Sequence, residues 1–251
     1  MTLDDLKAYT AVRRAGSLSA VAREGIGGLE TALRRIGDLA QGEAGTVRIT
    51  TGATTVRHFM SEAVVEFRFR HPRVSLEFRT ASSSGSCFAS LLEDDLDLAW
   101  VTISDPVRGI EQRPVMELPW VLAMRTGDIY SDRAWVEVPE LSGLRLIRLP
   151  EGSSSGGRLS AALAEVSLAA NAGIADWDTA LLLAELGVGH AIVPALPGWP
   201  LLGDGKVRMV PLHGVPPLTV GWAVRSWSAL SPLARTFAEA VTRNCRLRAA
   251  A

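Results

Sequence analysis

The sequence contains few cysteines and no excess of charge of either sign. Cys87 and Cys245 are the only cysteines among 251 residues, and their wide separation provides neither a disulfide framework nor the ligand spacing of a zinc site. The formal net charge of -1 gives no overall attraction to a polyanion, so a DNA-binding surface would have to be a local patch. Composition therefore does not indicate a disulfide-rich or a strongly basic nucleic-acid-binding protein.

Long hydrophobic runs are also absent. No uninterrupted apolar stretch is long enough to span a bilayer. Residues 1–16 are charged and lack the apolar core of a signal peptide. Together with the scarcity of cysteine, these absences predict a cytoplasmic, reduced protein with no membrane partner.

The short motifs that bind nucleotides, cofactors or metals are missing as well. The sequence has no Walker loop, dinucleotide fingerprint, Gly-x-Ser-x-Gly elbow or zinc motif. Residues 152–157 are rich in glycine and serine, but no Lys-Ser/Thr follows them, so they do not form a phosphate-binding P-loop. His71, His190 and His213 are not grouped in the sequence. We therefore expect neither a cofactor nor a metal site.

The chain does have the composition of a folded globular protein, with 47% hydrophobic and 21% charged residues. From residue 45 onward, short strands alternate with amphipathic helices, which predicts right-handed βαβ units and mainly parallel sheets. The pattern occurs in two sets, the second beginning near residues 118–124, and indicates an α/β fold of two lobes joined by crossover strands. The predicted strands are 47–50, 74–78, 96–101, 144–149, 190–193, 207–211 and 218–224, and the predicted helices are 54–71, 88–92, 159–164, 179–186 and 232–246.

A purely helical pattern precedes the strands. Apolar residues recur at helical spacing over 3–15, Gly16 breaks this helix, and Ser17 can cap a second one, as in the opening of a helix–turn–helix. The second helix stops early, at the glycine-rich residues 25–28. A further helix, 29–41, carries one apolar stripe, which is typical of a linker or pairing helix.

Four segments carry a resemblance to a known family, in this order and at this spacing: 42–49 (GEAGTVRI), 67–77 (FRFRHPRVSLE), 96–101 (LDLAWV) and 187–194 (GVGHAIVP). With these segments the chain resembles the LysR-type transcriptional regulators. The resemblance implies a sensory half with the two-lobed periplasmic-binding-protein-like fold, which binds a small-molecule effector and pairs side by side. It divides the chain into a helix–turn–helix remnant (1–28), a linker helix (29–44), a first lobe (45–120 and 222–251) and a second lobe (121–221).

The chain departs from this family before the linker helix. Family members continue from the first helix and turn into a recognition helix and a basic wing, whereas here the linker helix follows Ala22 within a few residues. Because a helix–turn–helix reads bases with its recognition helix, we expect no autonomous sequence-specific DNA binding. Carboxylates offset the nearby arginines of this region, which favours ordinary solvated helix faces over a phosphate-contacting patch.

Three hydroxyl-rich loops, 50–55, 81–86 and 150–155, follow predicted strands. In two-lobed α/β folds the ligand lies at the carboxyl ends of the strands, where helix N-termini favour an anionic group such as the carboxylate of a metabolite. The family resemblance implies ligand contacts from Thr54, Ser83, Ser84 and Thr102 in the first lobe and from Ser153, Ser154 and Trp177 in the second. The alternative for any single Ser or Thr is that it only caps a helix or turn.

Two tryptophans border this predicted cleft. Trp100 lies in a strand where a smaller aliphatic residue would be ordinary, and Trp177 precedes a predicted helix start. Either ring could stack on a planar ligand. Core filling is the favoured interpretation for Trp100, whereas the two interpretations are balanced for Trp177.

Cys87 and His58 are the candidates for catalysis. Cys87 falls in the first turn of the helix after loop 81–86, where the helix field lowers a thiol pKa and favours a reactive thiolate. His58 lies in the neighbouring first helix and could act as a base, with a carboxylate such as Glu93 as a further group. A lone cysteine is, however, more often a buried small hydrophobic residue.

Three functions are consistent with these patterns. The favoured one is a sensor of a small-molecule effector in transcriptional regulation, which acts as a homodimer or as a hetero-oligomer with an intact relative. The second is a stand-alone metabolite-binding protein. The third is an enzyme that uses the cleft between the lobes as its active site.

Overall fold

The structure, a computed structural model, describes residues 45–52, 54–93, 96–148, 153–166, 169–174, 176–197, 199 and 205–249. The helix–turn–helix remnant and the linker helix expected at 1–28 and 29–44 lie outside these residues. The strands are β1 (Gly45–Thr51), β2 (Val74–Thr80), β3 (Leu98–Thr102), β4 (Glu111–Leu118), β5 (Trp120–Arg125), β6 (Val136–Glu137), β7 (Arg145–Arg148), β8 (Ala169–Gly173), β9 (His190–Pro194), β10 (Val207–His213) and β11 (Leu218–Val224). The α-helices are α1 (Ser61–Arg70), α2 (Ser84–Leu92), α3 (Ser154–Ala162), α4 (Trp177–Glu185) and α5 (Pro232–Ala249).

Two short helical segments complete the structure. A π-helical turn, Val56–Met60, leads directly into α1, and a 3-10 turn, Val138–Leu141, follows β6. Among the described helices, none is long and apolar enough to cross a membrane.

The strands form two sheets, one in each lobe. The first has the order β2-β1-β3-β11-β4 and the second the order β6-β10-β5-β9-β7-β8. β1 pairs in parallel with β2 and β3, and β7 pairs in parallel with β8 and β9. The carboxyl ends of these central strands therefore meet the helices α2, α3 and α4 that follow them, which is the arrangement that places a ligand cleft in open α/β sheets.

The chain crosses between the two sheets twice. It leaves the first sheet between β4 and β5, at Pro119, and returns between β10 and β11, through residues 214–217. These crossings confirm the predicted α/β class with crossover strands. Because β5 and β11 enter their sheets from the other lobe, they pair antiparallel with their neighbours. Both sheets are therefore mixed, and the prediction of mainly parallel sheets holds only for the strands away from the crossings.

Most predicted strands and helices are present, and β5 lies where the second set was expected to begin, near residues 118–124, but β4, β6 and β8 were not predicted. β4 is an edge strand with the sequence EQRPVMEL, in which charged residues and a proline obscure the alternation. β8 reads AANAG and consists of residues with low strand propensity. β6 has only two residues. Each of these strands depends on pairing with a neighbour that is distant in sequence, which local patterns do not encode.

The core of the first lobe lies between its sheet and the helices α1 and α5, which pack against each other. Phe67 of α1 and Phe237 of α5 make an edge-to-face contact with ring centroids 5.3 Å apart, and Phe237 also faces Trp222 of β11. On the opposite face, α2 buries Cys87, Phe88 and Leu91 against Ala99 and Val101 of β3. Burial of each large side chain contributes about 1.5–3 kcal/mol.

Gly221 lets β11 approach the edge strand β4 closely. The pairing register of the two strands shifts between Val220 and Gly221. A Cβ atom at Gly221 would lie 2.2 Å from the carbonyl oxygen of Arg113 and 2.9 Å from the Cα atom of Pro114. Any side chain at this position would therefore force the two strands apart.

We expect Gly221→Ala to lower the free energy of unfolding by about 1–3 kcal/mol, which is the usual cost of overpacking. Gly173→Ala in β8 is the matched control, because a Cβ atom there has no heavy atom within 4 Å. Chemical denaturation of both variants measures the difference. Equal unfolding free energies for the two variants would show that β4 can move away from β11 without loss of stability.

Candidate functional site

A cavity of about 90 Å³ lies between the lobes, at the carboxyl ends of the central strands. Its wall combines residues 81–84 after β2, residues 153–155 at the start of α3, and Trp177 at the start of α4. Six of the seven predicted ligand-binding residues line it: Ser83, Ser84, Thr102, Ser153, Ser154 and Trp177. The fold therefore brings together residues that lie up to about one hundred positions apart in the chain.

Two helices, one from each lobe, begin at this cavity. The Ser83 hydroxyl accepts a hydrogen bond from the backbone N–H of Ser86 (3.1 Å) and caps α2. In the same way the Ser153 hydroxyl accepts from the N–H of Gly156 (3.0 Å) and caps α3. Ser83 and Ser153 therefore cap helices, which is the alternative that the sequence analysis gave for any single serine. The positive ends of both helix dipoles favour an anion in the cavity between them.

Ser84 holds α2 against the end of β3. Its hydroxyl accepts from the backbone N–H of Thr102 (3.1 Å) and donates to the carbonyl oxygen of the same residue (3.3 Å). The side chain is buried, so both bonds are shielded from water. This pair of bonds fixes the direction in which the first turn of α2 faces the cleft.

Ser84 also connects the two lobes. Its backbone N–H donates to the hydroxyl of Ser154 across the cleft, at 3.1 Å. A second bond across the cleft runs from the guanidinium of Arg158 on α3 to the carbonyl oxygen of Ile103, after β3. These two polar contacts close the lobes on each other at the mouth of the cavity.

Trp100 forms the floor of the cavity on the side of the first sheet. Trp100 is 3% exposed, lines the cavity, and packs against Phe59 and Trp222 with ring centroids 5.2 and 5.0 Å apart. The register of β1 with β3, in which Thr50 pairs with Ala99, places Thr51 beside Trp100. Neither the Nε1 of Trp100 nor the Oγ1 of Thr51 has a hydrogen-bond partner among the described residues. Trp100 therefore packs in the core, which is the interpretation that the sequence analysis favoured, and it also lines the cavity.

Trp177 is the first residue of α4 and forms the wall on the side of the second lobe. It is half-buried and packs against the apolar residues of both lobes. Asp176 caps α4, because its carboxylate accepts from the N–H and the hydroxyl of Thr179, both at 2.8 Å. The cap fixes the helix start and therefore the position of the indole ring.

Thr54 is placed differently from the other predicted residues. It is buried, and its carbonyl oxygen accepts from the N–H of His58 (3.3 Å), but it does not line the cavity. Gly52 and Thr55 line the cavity from this loop instead. No signal in the sequence distinguishes two adjacent threonines at a helix start, because the phase of the following π-helical turn decides which one faces the cleft.

Cys87 lies on the wrong side of the first sheet for chemistry in the cleft. Its thiol packs among Phe88, Leu91 and Ala99, and its Sγ lies 3.8 Å from the Oγ1 of Thr50. Burial raises the pKa of the Cys87 thiol, and the hydrogen bond with Thr50 only partly offsets this effect. The prediction of a reactive thiolate was therefore wrong, because desolvation outweighs the field of the helix N-terminus.

His58 connects the lobes instead of facing the cavity. Its Nε2 lies 2.9 Å from Oδ1 of Asp178 on α4, and its ring meets that of Trp199 edge-on at 5.2 Å. Glu93, at the end of α2, is exposed. The candidate catalytic groups thus point in different directions. The described residues include no cluster of three or more His, Cys, Asp or Glu side chains that could hold a metal ion.

Asp178 makes a contact between the lobes that the sequence did not reveal. It lies in the first turn of α4, where an acidic residue is explained by the helix dipole alone. Its contact with His58 joins positions 120 residues apart, and no local pattern could have indicated it.

Comparison with known proteins agrees with this geometry. The family model of the LysR substrate binding domain matches residues 40–246. The "Uncharacterized HTH-type transcriptional regulator YbhD" of Escherichia coli (strain K12) is 29% identical over 226 residues, which cover 86% of this chain and 68% of YbhD.

Solved structures show the same fold. The effector-binding domain of QuiR in complex with shikimate has a TM-score of 0.69 at 15% identity, covering 81% of this chain and 98% of QuiR's. HinK, a LysR family transcriptional regulator from Pseudomonas aeruginosa, has a TM-score of 0.69 at 18% identity, covering 97% of this chain and 98% of HinK's. With two sheets joined by crossover strands and the family model matched over most of its length, the chain belongs to the LysR substrate-binding-domain family, the effector-binding part of a family of transcriptional regulators.

Proposed function

We propose that this chain senses a small carboxylate-bearing metabolite bound in the cavity between its lobes. One observation carries the proposal: α2 and α3, one from each lobe, both direct their N-termini at the same cavity. A helix N-terminus stabilises an anion by about 0.3–1 kcal/mol at an exposed site and by up to about 2 kcal/mol in a partly buried one. Two such ends facing each other favour a negatively charged ligand over a neutral one.

An unpartnered donor in the cavity wall supports a ligand that also carries hydrogen-bonding oxygens. Trp100 lines the cavity, and its buried Nε1, which is only a donor, is unpaired among the described residues. Buried polar groups normally find partners, because an unmade hydrogen bond costs about 1–3 kcal/mol. Shikimate, which QuiR binds in its complex, is a hydroxylated carboxylate and represents this chemical class.

Closure of the lobes is the signal that follows binding. The lobes meet through the bond between Ser84 and Ser154 and through the contact between His58 and Asp178. A ligand that touches both helix N-termini binds the closed form better than an open one, so its presence shifts the population toward closure. The lobes that move are residues 45–118 with 218–249 and residues 120–213, so the expected boundaries at 120/121 and 221/222 shift to the crossings between the sheets.

The closed lobes pair with a second chain. Two helices carry exposed apolar side chains: Val65 (70%) and Phe69 (88%) lie on α1, and Leu182 (50%) lies on α4, with Leu186 (62%) directly after its end. Apolar patches of this kind are typical of protein interfaces. The partner is either a second copy or an intact relative. Because the remnant 1–28 lacks a recognition helix, the chain does not read DNA by itself and acts on transcription through such a partner.

The first experiment incubates the purified protein with a panel of small carboxylic acids that includes shikimate, followed by ultrafiltration and mass spectrometry. We expect a carboxylate to be retained with unchanged mass, and its neutral amide analogue to bind about tenfold more weakly, because the amide loses the charge that the helix ends stabilise. Retention of neutral compounds alone, or conversion of a compound to a new mass, would contradict the proposal.

We expect Trp100→Phe to weaken binding of the retained carboxylate about tenfold, because it removes a donor that a charged oxygen can accept from. Trp120→Phe is the control: it removes a buried indole whose Nε1 donates to the carbonyl oxygen of Pro216 (2.9 Å), outside the cavity. Calorimetric titration measures both affinities. If both variants bind like the unchanged protein, Trp100 is only a core residue.

For the pairing surface, we expect Phe69→Glu to convert a dimer to a monomer, because it places a charge in an apolar contact. Ile129→Glu is the control, since Ile129 is equally exposed (82%) but lies in a loop outside α1 and α4. Sedimentation velocity distinguishes the two states. An unchanged oligomeric state in Phe69→Glu would place the interface elsewhere.

For DNA, we expect no sequence-specific shift in a gel-shift assay of the purified protein with its own promoter region at moderate salt. Only the addition of a full-length relative would produce a complex that contains this chain. A specific shift by the chain alone would show that its N-terminal residues retain a reading function.

A further inference from the structure

A second and larger cavity lies in the first lobe, away from the cleft. It measures about 780 Å³ and is bordered by α5, the edge strand β4 and the residues that follow β11. None of the residues that line it lines the cavity between the lobes. Its volume falls in the range of about 300–1,000 Å³ that is usual for small-molecule sites.

Two tryptophans form the apolar wall of this second cavity, and both are held in place by hydrogen bonds. Trp222 donates through Nε1 to the hydroxyl of Thr242 on α5 (3.0 Å). The backbone N–H of Trp227 donates to the carboxylate of Glu111 (3.2 Å), and its carbonyl oxygen accepts from the guanidinium of Arg235 (2.7 Å). The two residues are only 1% and 8% exposed, so a small, fixed part of each indole borders the cavity, and a planar ring can pack against it.

The polar part of the wall is strongly cationic. Four arginines line the cavity with a single carboxylate, that of Glu239; they are Arg113, Arg235, Arg243 and Arg246. Arg243 is paired with Glu66 at 3.4 Å. Within the described part of the chain, Arg113 and Arg246 have no carboxylate partner, and the guanidinium of Arg113 lies 4.2 Å from the ring centroid of Trp227. Positive charge thus lies directly beside the aromatic surface.

One buried hydrogen-bond donor in the same wall has no acceptor among the described residues. The Nε1 of Trp227 is buried and has no partner among residues 45–249 that the structure describes. An indole N–H is only a donor, so it requires an acceptor oxygen or nitrogen. The Arg113 guanidinium lies over the face of the same ring, so an oxygen that accepted from this donor would lie close to a positive charge.

We propose that this cavity is a second ligand site, separate from the cleft, for a planar aromatic compound that carries a carboxylate. The ring packs against Trp222 and Trp227, and the carboxylate is bound by Arg113 and Arg246. A guanidinium matches a carboxylate with two parallel N–H donors, so the combination selects for the anion over a neutral compound of the same shape.

The test uses the full chain and 2-naphthoate as the probe, with 2-naphthalenemethanol as its neutral counterpart. Calorimetric titration and saturation-transfer NMR report binding. We expect 2-naphthoate to bind at least about tenfold more tightly than the alcohol, because charge-assisted hydrogen bonds are about twice as strong as neutral ones. Equal affinity for both probes, or no binding of 2-naphthoate, would overturn the proposal.

Variants locate the site. Arg113→Gln combined with Arg246→Gln removes two exposed charges from the cavity and should weaken 2-naphthoate binding at least about tenfold. Arg108→Gln combined with Lys206→Gln removes two exposed charges elsewhere and should leave the affinity unchanged. The same loss of affinity in the Arg108 and Lys206 variant, or none in the Arg113 and Arg246 variant, would assign the probe to another site.

Discussion

The hydrogen bonds of Ser84 join the structural and the functional parts of this molecule. Its hydroxyl fixes the first turn of α2 to the end of β3, and its backbone N–H reaches Ser154 in the other lobe. The crossover strands, the bond from Arg158 to Ile103 and the contact of His58 with Asp178 also connect the two lobes. Contacts at the mouth of the cleft therefore decide whether the lobes are closed, and these contacts are made by the groups that would also bind an anion.

The sequence predicted this site only in part, and the failures have a common physical cause. Serine-rich loops after strands indicated the cleft correctly, because parallel strands bring their carboxyl ends to one edge. The same loops do not show which side of a sheet or helix a given side chain faces. Thr54 lies next to the lining residue Thr55 and Cys87 lies one helical turn after Ser84, yet neither lines the cavity.

Strand pairs and contacts between residues that are distant in the sequence could not be predicted either, because local sequence patterns do not encode them. β4 and β8 exist because distant strands offer them hydrogen bonds, not because of their own residues. The contact of His58 with Asp178 and the unpartnered Nε1 of Trp100 arise only after two lobes have packed. In the sequence, core packing alone is enough to explain His58 and Trp100. Only the structure shows which groups their polar atoms contact. The second cavity, formed by an edge strand and the last helix, is a further product of this packing.

The central claim is that a carboxylate binds between the N-termini of α2 and α3. Hydrogen exchange measured by mass spectrometry, with and without the retained carboxylate, tests it most directly. The account predicts slower exchange in peptides that cover residues 83–88 and 153–158, because their backbone N–H groups face the anion and the closed lobes exclude water. Protection confined to α5 and β4, or no change at either helix start, would contradict it.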